Sequence, residues 1–408
     1  MIKREEYLQQ LISFKDKQLI KVVTGIRRCG KSTLLELFTD EIKKSGVSKQ
    51  QIISVNFEDA DNEHLTDRRI LYSYIKERLI NDKMNYIILD EIQHVDEWQR
   101  TVDSLFIKKN CDVYITGSNA YLLSGELATL LSGRYVEIKM LPLSFSEYIS
   151  AKGDKTDLQR KYNSYLTNSS FPYTLELNSS KDIRAYLDGI YNSIVLKDVV
   201  SRKRISDVSA LESVIRFMFD NIGNITNSKN IADTLTYGGR KISTHTVDSY
   251  LEALCDSFIF YKAGRFDVKG KQYLKTGEKY YAADIGLRYY LLGSQKSDMG
   301  RALENVVYLE LLRRGCDVRI GKVGSHEVDF VAANEGGVAY YQAALTVRDE
   351  STLARELRPL DSISDHNPKY LLTLDDDPET SHNGIRQINA LDWLLSPNTS
   401  AKSIIFSA

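Results

Sequence analysis

Cysteine is scarce in this chain. There are four in 408 residues, Cys29, Cys111, Cys255 and Cys316, with no C-x-x-C pair and no clustered histidine partners. That spacing excludes both a zinc knuckle and a disulfide framework. No apolar run approaches the roughly 18 residues of a membrane span, and Met1-Ile-Lys-Arg-Glu-Glu6 leads into an amphipathic stretch rather than a signal peptide. The expectation is a soluble, cytoplasmic protein with no membrane contact. An excess of charge of one sign is also missing: 54 Lys and Arg stand against 55 Asp and Glu, a net charge of −1. Any affinity for nucleic acid must therefore come from a local patch. Internal repeats and long low-complexity segments are absent too. What remains is an ordinary globular composition, 42% hydrophobic and 27% charged. The length suits two or three domains, because single cores stop growing near about 250–300 residues.

The chain is organised around Gly25-Ile26-Arg27-Arg28-Cys29-Gly30-Lys31-Ser32-Thr33, which fits G-x-x-x-x-G-K-[ST]. Before it lies the short β-branched run from Leu19 to Thr24; after it, Leu34, Leu35, Phe38 and Ile42 recur at helical spacing. Strand, loop and helix thus follow in the order a phosphate-binding loop needs. Glycines let successive N–H groups turn toward β- and γ-phosphate oxygens, and the positive helix end adds to the field. Lys31 would supply a mobile charge to ATP and Ser32 a hydroxyl to Mg²⁺. Tyr86 to Asp90-Glu91 reads as an apolar strand ending in two carboxylates, about sixty residues downstream. There Asp90 would hold Mg²⁺ through water, and Glu91 would polarise the attacking water. A further strand, Cys111–Thr116, runs into Gly117-Ser118-Asn119, whose polar side chains are candidates for the γ-phosphate. Arg134, before a short strand at 135–138, is placed to stabilise transition-state charge in a neighbouring subunit.

G-I-R-R-C-G-K-S-T, L-D-E-I-Q, I-T-G-S-N-A-Y-L-L-S, E-L-A-T-L-L-S-G-R and L-P-L-S-F-S-E-Y resemble the AAA-type ATPases of bacteria and archaea that carry a C-terminal domain of unknown function. The resemblance runs nearly end to end. It implies an α/β fold in which the phosphate-loop strand is central, with the strand ending at Ser118 beside it. Ser118 or Asn119 is then the sensor and Arg134 a trans-acting finger of a homo-oligomer. Arg27 and Arg28 match the family's R-R pair, in contact with phosphate or with a neighbouring subunit. The family usually shows a double glycine before Phe-Pro, where this chain has Ser169-Ser170-Phe171-Pro172.

Four regions follow from the pattern: an AAA-type P-loop domain over 1–150, a helical lid or linker over 151–208, a winged helix-turn-helix over 209–285 and an α/β domain over 296–408. In the third, helices are expected over 211–221, over 228–235 with Ser228 as cap, and over 243–257, followed by a β-ribbon. Between Lys262 and Lys279 six basic residues (Lys262, Arg265, Lys269, Lys271, Lys275, Lys279) face two acidic ones (Asp267, Glu278), or +4. Such a wing suits phosphates of double-stranded DNA, a protein partner, or protection of a sheet edge. The last region looks like the P-D-(D/E)-x-K nuclease core: Glu304 on a helix, Glu327 and Asp329 on a strand, then Gln342 and Ala344 on a third strand. An active core needs a carboxylate and a lysine at those last two places. Ala344 can neither hold a metal nor move a proton, so a scaffold kept for packing or binding is favoured. The leading reading is an Mg²⁺-dependent ATP hydrolase that remodels or switches on DNA. An ATP-regulated nuclease and a non-catalytic ATP-binding switch are the alternatives.

Overall fold

The computed structural model describes residues 2–120, 131, 133–201, 203, 205–293 and 299–397, with backbone alone for Leu196, Lys197, Lys275 and Thr276. Part of the E-L-A-T-L-L-S-G-R motif therefore lies outside the described residues. Contacts divide the chain into two compact units, Met1–Pro142 with Asp256–Phe258, and Leu143–Cys255 with the chain from Ile259 onward.

In the first unit, β1 (Ile20–Thr24), β2 (Ile52–Asn56), β3 (Asn85–Asp90), β4 (Cys111–Gly117) and β5 (Tyr135–Lys139) form one parallel sheet in the order β2-β3-β4-β1-β5. The strand ending at Ser118 does lie between the phosphate-loop strand and the strand ending in Asp90-Glu91. Burial on both faces explains the sequence: β1 and β3 have every residue buried, as parallel strands covered by helices do. Helices α1 (Glu5–Ser13), α2 (Lys31–Lys44), α3 (Arg68–Lys76) and α4 (Trp98–Phe106) connect them. One side of the core gathers Ile20, Val22, Ile87, Leu89, Val113 and Ile115 against Trp98 and Leu105. At the N-terminal end of the strands, Lys21 Nζ pairs with Asp112 Oδ1 at 2.5 Å, both side chains fully buried. Tyr114 donates its hydroxyl hydrogen to the other carboxylate oxygen at 2.8 Å. A buried pair of this kind adds little net stability but penalises slippage, because a shifted register strands a charge.

In the second unit, Ser144 and Glu147 form a capping box at the start of α5 (Phe145–Lys152), which gives the L-P-L-S-F-S-E-Y motif its physical reason: two otherwise orphan N–H groups are satisfied reciprocally. Helices α6 (Leu158–Asn168), α7 (Ser180–Ser193), α8 (Val208–Asp220), α9 (Ser228–Tyr237) and α10 (Thr244–Asp256) follow. The cap of α9 is Asn227, whose side chain accepts from the Asn230 N–H. Ser228 instead donates its hydroxyl hydrogen to Asp248, so the cap lies one residue earlier than the sequence indicated. An eight-stranded sheet then runs β12-β13-β11-β10-β9-β8-β6-β7. Its strands are β6 (Phe260–Asp267), β7 (Gln272–Ala282), β8 (Asp317–Val323), β9 (His326–Asn334), β10 (Gly337–Ala344), β11 (Lys369–Thr373), β12 (Thr380–His382) and β13 (Ile385–Asn389). The β6–β7 hairpin does not stand free. Arg265, Phe266 and Asp267 pair in parallel with Ile320, Gly321 and Lys322 of β8, so one sheet crosses the boundary expected between 285 and 296.

The Ser169-Ser170 pair occupies the turn that a double glycine would fit. Ser169 has φ 76 and ψ 155, a region that only glycine enters freely, at a cost of about 1–3 kcal/mol. Three contacts hold it there. Ser170 donates N–H and Oγ–H to Asp284 Oδ2 at 2.7 and 2.5 Å, and the Phe171 N–H donates to Ser169 Oγ at 3.1 Å. Removing the side chain releases this strain but also loses its hydrogen bonds to the Phe171 N–H and to Asp284, each worth about 1 kcal/mol. Ser169→Gly is therefore expected to leave the stability of the second unit within about 1 kcal/mol of wild type, read from its urea midpoint by circular dichroism.

Candidate nucleotide site

The site sits at the C-terminal ends of β1, β3 and β4, where open parallel sheets bind ligands. Its loop is shaped by exclusion. Gly25 has φ +150, and a Cβ there would lie 2.1 Å from the Met140 carbonyl oxygen, so no other residue fits without moving β5. Gly30 at φ 104 and Arg28 at φ 68 turn the loop back on itself, the alternation that points successive N–H groups to one side. Behind the loop, the buried Arg4 guanidinium donates to Cys29 O at 2.9 Å and to Leu141 O at 2.6 Å. Tyr7 Oη accepts from the Leu141 N–H at 3.2 Å. Arg4 thus fastens the loop to the segment after β5.

Lys31, first residue of α2, is buried, with Nζ 3.1 Å from Gly25 O and 3.4 Å from Glu91 Oε1. The Ser32 hydroxyl hydrogen-bonds to Asp90. Thr116 donates its hydroxyl hydrogen to Asp90 Oδ1 at 2.5 Å, and the Thr116 hydroxyl oxygen accepts the Glu91 N–H at 2.8 Å. One hydroxyl therefore ties β4 to both carboxylate residues of β3. Burial pushes the Asp90 carboxyl above the usual carboxylate range, against the hydrogen bonds from Thr116 and Ser32. Burial works the same way on Glu91, but there Lys31, Gln93 and Arg27 outweigh it and hold the group below that range. Glu91 has φ 55, and Gln93 Nε2 donates to its Oε2.

Ser118 is fully buried, and its hydroxyl oxygen has no hydrogen-bond partner among the described residues. Such a group ordinarily has one, and a phosphate oxygen or water would supply it. Asn119 beside it is buried as well, as are Ile26 and Cys29, whose thiol is pushed up by burial. Thr33 is half-buried. Arg27 pairs with Glu58 at 2.6 Å, while Arg28 is exposed. Glu58, Glu91 and His94 offer ligand atoms within 4.8 Å of one another, the one such group among the described residues. Arg27 and Lys31 already pair its two carboxylates. Arg134 is not brought to this site. Its carbonyl accepts from the Ile20 N–H, so it lies beside the start of β1, a strand length of about 13 Å from the loop. It is ion-paired with Asp103.

The donor set fits a Mg²⁺ nucleotide: a serine hydroxyl joined to a carboxylate, a buried lysine next to it, and an unsatisfied hydroxyl opposite. With a parallel sheet of this order, the site defines an AAA-type P-loop ATPase. A sequence model of the AAA domain matches residues 17–149, and one described as a domain of unknown function (DUF8612) matches residues 159–298. An uncharacterised protein of Haemophilus influenzae is 41% identical over 399 residues, 97% of this chain and 99% of that one. An uncharacterised protein of Methanocaldococcus jannaschii is 32% identical over 336 residues, 78% of this chain and 72% of that one. The chain belongs to the same family as these relatives, and its residues 17–149 form an AAA domain. Among solved structures, the Walker-type ATPase of Pyrococcus abyssi shares the fold, with TM-score 0.51 at 15% identity over 71% of this chain and 96% of that one.

In the second unit two of the six wing cations, Lys262 and Lys279, are ion-paired. Lys262 pairs with Glu278 at 2.6 Å. Lys279 is buried, not presented to a partner: its Nζ lies 2.9 Å from Glu304 Oε1 and 2.7 Å from Glu327 Oε1. Burial opposes its charge, yet Glu304, Asp329 and Glu327 raise its pKa above the ordinary lysine value. Lys269 and Lys271 remain exposed at the hairpin tip. Tyr281 donates to Glu304 Oε1 at 2.8 Å, and the Ala343 N–H donates to Asp329 Oδ2 at 2.9 Å. Gln342 accepts the Asp329 N–H at 3.2 Å and donates to Glu356 at 2.9 Å. Ala344 contributes no polar group, and the cation among these carboxylates comes from β7.

Two outcomes follow. Thr116→Val keeps the shape but leaves Asp90 and the Glu91 N–H without that partner, a loss of about 1–3 kcal/mol. It should lower the urea midpoint of the first unit and weaken Mg²⁺-dependent nucleotide binding about tenfold in a fluorescent-nucleotide titration. Lys279→Met leaves the buried Asp329 and the part-buried Glu304 and Glu327 without their cation and should destabilise the second unit by up to about 3 kcal/mol at neutral pH. Burial and the Glu304 charge already raise the Asp329 pKa against Lys279. A group with a raised folded-state pKa loses its contribution as pH rises through that value, so the variant's unfolding midpoint should recover as pH falls below neutral.

Proposed function

We propose that the chain is a Mg²⁺-dependent ATP hydrolase that works as a homo-oligomer and couples hydrolysis to remodelling or switching on double-stranded DNA. The observation that carries the hydrolase is the Ser32 hydroxyl joined to Asp90, with Lys31 and Glu91 buried beside it. Ser32 and Asp90 would hold Mg²⁺, which when bound would supply neutralisation of the phosphate charge. The N–H groups from Gly25 to Thr33 and the positive end of α2 cradle the phosphates. Lys31 exchanges Gly25 O and Glu91 for phosphate oxygens. Glu91 then takes the proton of the attacking water, a task that suits a carboxyl held ionised. Ser118 and Asn119 face the γ-phosphate, and the unsatisfied Ser118 hydroxyl supports that role.

Arg134 is assigned to a neighbour's site, because its place at the opposite end of β1 bars it from its own. Lys269 and Lys271 at the hairpin tip, with exposed Thr244 and His245 opening α10, are the groups assigned to duplex phosphates. The nuclease reading is set aside, since Lys279 already neutralises Glu304 and Glu327.

The test is phosphate release across protein concentrations, with and without duplex DNA. Wild type should show activity that rises with concentration and responds to DNA. Lys31→Ala should abolish it, Glu91→Gln should lower it about a hundredfold while still binding ATP, and Arg134→Ala should lower it about a thousandfold. ATP binding with no phosphate release under any condition would replace the hydrolase with a nucleotide-gated switch.

A further inference from the structure

Gln93 has no role in the reading above, yet it is half-buried against the group that reading makes the base. It lies in a short 3-10 turn, Ile92–His94, directly after β3. Its Nε2 donates to Glu91 Oε2. Facing a carboxylate, an amide can turn only its NH₂ toward it, which fixes the direction of the carbonyl. That carbonyl oxygen, Oε1, is buried and has no hydrogen-bond partner among the described residues. A buried acceptor left unmet destabilises the fold by about as much as a lost hydrogen bond, so one that persists beside a reactive carboxylate calls for a donor. The same turn follows a residue in left-handed conformation, Glu91 at φ 55, and strained backbone of this kind gathers where side chains are aimed for chemistry.

We propose that Gln93 aligns the attacking water: Nε2 holds the Glu91 carboxylate, and Oε1 accepts the hydrogen of that water which Glu91 does not take. The inference rests on the hydrolase reading and deepens it. In the step it serves, the water oxygen forms a bond to the γ-phosphorus while Glu91 takes one proton. The bond between that phosphorus and the bridging oxygen breaks, and ADP leaves with the electron pair. The amide changes neither charge nor protonation. Two fixed contacts on one water, one from each side chain, convert a mobile nucleophile into an oriented one.

The experiment compares wild type, Gln93→Ala and Gln93→Glu in three measurements: ADP affinity, affinity for ADP with aluminium fluoride as a transition-state analogue, and kcat. Gln93→Ala should bind ADP within about twofold of wild type, lose about a hundredfold in kcat and lose a comparable factor in analogue affinity. Gln93→Glu keeps an acceptor for the water but has no NH₂ to hold the Glu91 carboxylate, and should lose kcat and analogue affinity as well. In the Glu91→Gln background, Gln93→Ala should cost little more, because the two residues act on one water. A Gln93→Ala enzyme with wild-type kcat and analogue affinity overturns the inference while leaving the hydrolase intact. A matching loss of ADP affinity also overturns it, by making Gln93 a structural support. Absence of hydrolysis in wild type defeats the hydrolase reading itself.

Discussion

The hydroxyl of Thr116 is the joint on which the nucleotide site depends. It donates to the Asp90 carboxylate and accepts from the Glu91 N–H, so the strand that ends at Ser118 and the strand that ends in two carboxylates cannot shift separately. Ser32 reaches the same Asp90 from α2, which brings the loop into the same network. At the other end of the sheet, Lys21 and Asp112 lock β1 to β4 with a buried charge pair. The two fastenings share β4 and act on it from opposite ends. Between them the sheet has little freedom to change register.

The loop that carries the phosphate contacts is fixed by steric exclusion as much as by attraction. Gly25 lies so close to the Met140 carbonyl that a methyl group would not fit. Arg4 holds the far side of the loop through the Cys29 carbonyl oxygen and ties it to Leu141. A loop carbonyl engaged in that way faces away from the nucleotide, which leaves N–H groups to face it. The loop's preference for anions is thus built by directing its dipoles rather than by adding net charge.

Much of the first unit was legible in the sequence, because its signals are local. The phosphate-loop spacing, the apolar strand before Asp90 and the strand before Ser118 each lie within a dozen residues, and the structure aligns all three at one sheet edge. Thr116 was not legible as a partner, since a threonine in an apolar strand reads as an ordinary β-former. Arg4 looks like a solvated terminal charge until the loop folds over it. Gln93 has no signal beyond its place two residues after Glu91. The second unit was harder for a definite reason. Counting charge from Lys262 to Lys279 treats each cation as free, whereas Lys279 is committed to Glu304 and Glu327. The parallel pairing of β6 with β8 joins residues about fifty-five positions apart, and no local pattern announces it. The double serine at 169 and 170 was read as a departure from the family's glycines; the backbone nevertheless takes up a glycine's conformation and relies on Asp284 to hold it.

The position of Lys279 has a consequence for how such chains are inherited. A recombination joint at residues 285–296 would look neutral by length and composition, for it falls between a hairpin and a helix. It would nonetheless separate an ammonium from the carboxylates that it neutralises, and β6 from the strand that covers its edge. A hybrid would then carry either a buried lysine with no acid or buried acids with no lysine, beside an uncovered strand edge. The hairpin and the C-terminal sheet therefore form one unit of exchange, and substitutions at Glu304 or Glu327 are tied to the residue at 279 although the chain places them in different segments.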